Sequence, residues 1–122
     1  MNGDPIAGPA LLLAAAKGGV GPQLLPDLVE HVQEHLGPRL DDYRRRYELV
    51  DENDEACVFL VESGHWETLG EECRLEPGER EAVERAHAEH LRRLGVETER
   101  REEFETALEI RECVVVGSAG VG

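Results

Sequence analysis

The segment Ala56-Cys57-Val58-Phe59-Leu60-Val61 is the strongest constraint on how this chain can fold. A strand with one wet face alternates apolar and polar residues. This one is apolar throughout, so both of its faces need cover and it must be a central strand. Asp51-Glu52-Asn53-Asp54 just before it are turn formers, and Tyr47-Glu48-Leu49-Val50 precede them with an aromatic and apolar flank. The pattern predicts a β-hairpin over about 47–61. Ile110 to Val116 reads as a third strand beside it, with residues 117–122 as a flexible tail.

The cover has to come from helices. Pro26 and Asp27 open one with proline in the first turn and an acid near its positive end. Leu28, Val32, Leu36 and Leu40 form a ladder at i+4, broadened by Leu25 and Val29. Gly37-Pro38 should break or kink it, giving segments over 26–36 and 38–46 with Leu40, Tyr43 and Tyr47 on the same face. Ser63 is placed to N-cap a short helix carrying Trp66 and Leu69. Pro77 to Leu94, closed by Gly95, is the clearest helix. Another is expected from about Thr98, with Phe104, Ala107 and Leu108 inward. A short apolar helix around Leu11 to Leu13, stopped by Gly18-Gly19, would dock on the body or on a partner.

These elements predict an α+β fold. A small antiparallel sheet, the hairpin about 47–61 plus the C-terminal strand about 110–116, packs against helices about 26–46 and 77–94. With 122 residues, the chain fits one domain over 1–122. A hydrophobic share of 40% is enough to build a core. The longest apolar run, Pro9 to Ala16, falls well short of the ~20 residues of a membrane span. The N-terminus lacks a basic region ahead of that run, which points to the cytoplasm. Cys57, Cys73 and Cys113 are odd in number and widely spaced, so they suggest no disulfide framework.

Charge restricts the partners. Asp plus Glu number 27 against 13 Lys plus Arg, a formal net charge of -14. Lys17 is the only lysine. At ~1 M salt the Debye length falls to ~3 Å and most self-repulsion vanishes. The balance thus resembles that of cytoplasmic proteins working in concentrated salt, and it disfavours nucleic acid. Arg44-Arg45-Arg46 between Tyr43 and Tyr47 is the one basic, aromatic-flanked run. Its bland reading is pairing with acids of the same chain, such as Asp41, Asp42 and Glu48.

Histidines are the most informative polar residues. His31-Val32-Gln33-Glu34-His35 fits H-x-x-E-H, two imidazoles on one helix face with a glutamate between them. This is the inverted zinc-protease helix motif, but such proteases need a cleft and a larger scaffold. At ~100° per residue, His87 and His90 point into the apolar face of their helix, whereas His31 and His35 edge theirs. Glu84 to His87 also fits E-x-x-H, of which di-iron bundles need two copies. Paired histidines on two helices could hold zinc or another transition metal through His31, His35, His87 and His90. The competing reading is that each bonds backbone or carboxylate. His65-Trp66 is a candidate ligand-facing pair, with Trp66 the larger core anchor. No serine or cysteine nucleophile motif, dinucleotide fingerprint or phosphate loop occurs.

No catalytic residue is assigned. The function expected is that of a small acidic intracellular protein acting through protein contacts or self-association, non-enzymatic and adapted to high salt. Metal binding through the histidine pairs is the alternative. A homodimer would use the apolar segments Leu11 to Leu13 and Val114-Val115-Val116, the latter as an open sheet edge.

The charge generates one prediction. Helix content and melting temperature should rise from low salt to molar KCl, followed by circular dichroism. A melting temperature that stays constant across that range would remove the high-salt reading.

Overall fold

The structure is a computed structural model and describes residues 24–117. The helix expected around Leu11 to Leu13 and the tail from 118 onward lie outside the described residues. Along the chain run α1 (Leu25–Leu36), a 3-10 turn (Gly37–Arg39), α2 (Leu40–Arg46), β1 (Glu48–Glu52) and β2 (Ala56–Glu62). Then come α3 (His65–Glu72), α4 (Pro77–Glu97), α5 (Arg101–Ile110) and β3 (Arg111–Gly117). The sheet is antiparallel in the order β1-β2-β3. This is the expected α+β fold, with Gly117 ending a strand and not opening the tail.

β2 is the central strand, and Ala56 to Val61 are all buried. Each fully buried Val, Leu or Phe contributes roughly 1.5–3 kcal/mol of transfer free energy, so this strand alone anchors much of the core. In the turn before it, the Asn53 side-chain oxygen accepts the Glu55 and Ala56 backbone N–H groups at 2.7 and 2.9 Å. That is the local hydrogen bonding for which asparagine is favoured in turns. The pairing with β1 shifts register between Leu49 and Asp51, a bulge at Val50.

α1 buries Leu25, Val29, Val32 and Leu36, with Leu28 at the margin. Gly37-Pro38 converts one turn to 3-10 geometry, after which Leu40 and Tyr43 resume the same inward face. Two expectations about ends are corrected. Ser63 does not cap α3. Its N-cap is Gly64, at φ 94 where a side chain would be strained, and it makes no side-chain cap of its own. Glu112 of β3 takes that role, accepting from Gly64 N at 2.9 Å and Trp66 N at 2.8 Å. A full negative charge suits the positive end of a helix, and pairing with Val61 of β2 carries Glu112 there. Gly95 does not end α4, which runs on to Glu97. A Cβ at Gly95 would lie 3.1 Å from both the Arg101 Cα and the Phe104 ring, so glycine there permits close packing of α5 on α4.

The largest correction concerns the sheet edge. Among the described residues β3 pairs only with β2, yet its outer side is not open. Trp66 Nε1 donates to the Cys113 carbonyl at 2.9 Å, and Val115 N donates to His87 Nδ1 at 2.9 Å. Gln33 donates to the Val115 carbonyl at 2.7 Å and accepts from Gly117 N at 2.8 Å. Side chains from α3, α4 and α1 therefore occupy the backbone groups of alternate residues. Val114, Val115 and Val116 are fully buried, so they offer no surface for association.

Burial lowers the pKa of His87 to about 3, and the neighbouring His90 adds to this; burial also holds His90 below its ordinary value. The unfolded imidazole titrates near ~6.5. The folded state thus excludes a proton that the unfolded state takes up, and stability is lost as pH falls from the unfolded value toward the folded one. At about 1.4 kcal/mol per pH unit, His87 alone should remove about 2 kcal/mol between pH 6.5 and 5. Urea unfolding in molar KCl at pH 7 and pH 5 checks this. The loss should be larger by about that amount in the parent chain than in His87→Gln, and equal losses would mean that His87 takes up its proton in the fold. A second outcome follows from β2. Cys57 is 0% exposed, and burial pushes its thiol up despite the nearby Arg44. Thiol labelling of native protein should spare Cys57 and reach it only after denaturation.

Candidate functional site

The histidines proposed as metal ligands divide into two unlike pairs. His31 Nε2 lies 2.8 Å from the Cys73 carbonyl oxygen, and His35 Nε2 lies 2.9 Å from Glu72 Oε1. Both fasten α1 to the end of α3. His87 is wholly buried, its ring edge-on to Trp66 with centroids 4.7 Å apart. The Val115 N–H that Nδ1 accepts fixes the tautomer, because the neutral ring must then carry its proton on Nε2. A metal at Nε2 would have to displace that proton and leave the ring anionic. Nε2 of His87 and Nδ1 of His90 are both buried without a hydrogen-bond partner. Among the described residues, no three His, Cys, Asp or Glu side chains converge where a metal ion could be held.

The arginine run is dispersed too. Arg44 pairs with Glu52 at 2.7 Å and reaches the Cys57 sulfur at 3.2 Å; Arg45 pairs with Asp42. Arg46 instead stands over the Tyr47 ring, 5.8 Å from its centroid. Glu48, one of the expected acid partners, is taken by Arg111.

Among the concave surfaces of the described residues, two involve residues singled out above. One is a cavity of about 330 Å³ between α2 and α3, around Tyr43, Tyr47 and His65. The Tyr43 hydroxyl and His65 Nε2 are 2.6 Å apart, and His65 Nδ1 is 3.5 Å from Glu62 Oε2. Burial first, then the charges of Tyr47, Glu72 and Glu62, push the Tyr43 phenol up, so it stays protonated. With a neutral imidazole, the phenol O–H donates to Nε2 and the ring proton faces Glu62. The Tyr47 ring packs on Tyr43 at 4.8 Å and on His65 at 5.1 Å. Of the expected His65-Trp66 pair, only His65 faces a cavity, since Trp66 is fully buried. The Tyr43–His65 contact was missed because it joins residues 22 apart on different helices. The only local signals are Tyr43 and Tyr47 at i+4, and Glu62 and His65 at i+3.

The other is a groove of about 540 Å³ between α4 and the α5–β3 junction, with Glu84, Arg85, Ala88, Leu108 and Ile110 among its lining. Ile110 is 72% exposed at its margin. Glu84 bonds Arg80 at 2.7 Å, while burial and the Glu112 charge push its carboxyl up. The E-x-x-H glutamate thus serves an ion pair at the groove. Arg85 forms no ion pair among the described residues.

No curated protein and no solved structure matches the chain. Residues 4–118 match the family described as Domain of unknown function (DUF8048), nearly the whole length, and the chain belongs to that family.

Proposed function

We propose that the chain is a small, non-enzymatic interaction module, adapted to concentrated salt inside the cell, that works through protein contacts and first through a second copy of itself. The observation that carries this reading is Ile110, 72% exposed beside Leu108 and Ala88 in the groove along α4. These apolar side chains share the groove with Glu81, Glu109, Arg85 and Arg111, so a partner would meet an exposed apolar residue among charges of both signs. In molar salt the short screening length allows two acidic copies to approach.

Metal binding is a second reading, favoured by the unpartnered Nδ1 of His90. Elemental analysis of protein purified in the presence of zinc separates it: a stoichiometric metal lost in His90→Ala supports it, and metal-free protein ends it.

For the first reading, light scattering in molar KCl at micromolar concentrations should give twice the chain mass. Ile110→Glu should give the monomer mass with little change in melting temperature, since an exposed side chain holds little of the fold. A monomeric parent chain would reject self-association. A dimer untouched by Ile110→Glu would reject the groove as its seat.

A further inference from the structure

We infer that the cavity at Tyr43 and His65 is a binding site for a small organic monocarboxylate. The argument begins with the arginines. Acids outnumber bases 27 to 13 in this chain, so carboxylates are plentiful as partners. Arg44, Arg45, Arg80, Arg92, Arg93, Arg100, Arg101 and Arg111 each pair with one. Among the described residues, Arg39, Arg46, Arg74 and Arg85 do not. Arg39 and Arg46 both line this one cavity.

Neither guanidinium is used up by what it touches. Arg39 gives one N–H to the His35 carbonyl at 2.6 Å, and Arg46 stands over Tyr47. The carboxylates of the same cavity have their own partners: Asp42 has Arg45, Glu62 has His65, and Glu72 has His35. Two guanidinium forks and the Thr68 hydroxyl are the donors left for a guest, and a planar carboxylate matches a guanidinium in geometry.

The same three acids set the guest's charge. Beside them a dianion such as phosphate meets more repulsion than a single carboxylate. The tyrosine rings give the apolar part of the guest a wall, and about 330 Å³ suits a molecule of few heavy atoms. Tyr43 and His65 are bonded to one another, so they stiffen this wall and report on its occupancy.

The test titrates benzoate into the full chain in molar KCl and follows the His65 ring and Tyr47 by NMR. A saturable shift confined to the cavity is expected, with inorganic phosphate and tetramethylammonium binding more weakly. Replacing Arg39 and Arg46 together by Gln should weaken benzoate by about tenfold or more, the scale of a lost charge-assisted contact. Arg85→Gln, an unpaired arginine in the other groove, should leave the affinity unchanged and controls for net charge. Circular dichroism confirms that the variants fold. Absence of saturation, equal loss in Arg85→Gln, or tighter binding of tetramethylammonium would each overturn the assignment.

Discussion

The molecule is organised around the outer edge of β3. A small sheet cannot leave its last strand unpaired inside a protein, because each orphaned backbone group costs on the order of 1–3 kcal/mol. Trp66, His87 and Gln33 solve this by acting as a fourth strand made of side chains. One comes from α3, one from α4 and one from α1, so the same bonds that finish the sheet also fix where three helices sit. One polar atom of each of these buried or half-buried side chains is thereby directed to structure, and in His87 that atom is Nδ1, an acceptor.

Surface electrostatics follow a related pattern. Most arginines act as internal counterions, along a helix or between β1 and another element. Exposed pairs of this kind are worth about 0–1 kcal/mol each, so they distribute charge more than they hold the fold. What distinguishes residues 39–47 is that two arginines without an acid partner among the described residues meet at one cavity. Arg44 and Arg45 find acids, while Arg39 and Arg46 are left at the cavity with tyrosine walls. The likeness between neighbouring arginines in the sequence conceals this difference in placement.

Elements were readable wherever their cause is local. The unbroken run in β2 predicts a central strand, Pro26 and Pro77 mark helix starts, and the Asn53 turn separates β1 from β2. The misreadings share another cause. Ser63 has a good capping side chain, but Glu112, 49 residues later, takes the N–H groups of Gly64 and Trp66 and brings a full charge. Gly95 looks like a stop signal, yet it answers to Phe104. Gln33 draws no attention in a helical stripe, although it closes a strand 82 residues away. Helix phasing placed His87 inward correctly, but could not tell a metal ligand from an acceptor for a backbone N–H. Tyr43 and His65 stand in separate sequence patterns, and only the fold puts one against the other.

The Glu112 cap has a consequence for the order in which structure can form. α3 begins at a glycine with no cap of its own, and a helix of eight residues is marginal in isolation. The carboxylate that completes its first turn belongs to β3, the last of the described strands. A nascent chain that has already produced α3 and α4 therefore still carries an uncapped helix start, and β2 still lacks one of its two neighbours. Both defects are cured together when Glu112 pairs opposite Val61. Synthesis thus delivers a chain whose apolar central strand stays half-matched until a late segment arrives.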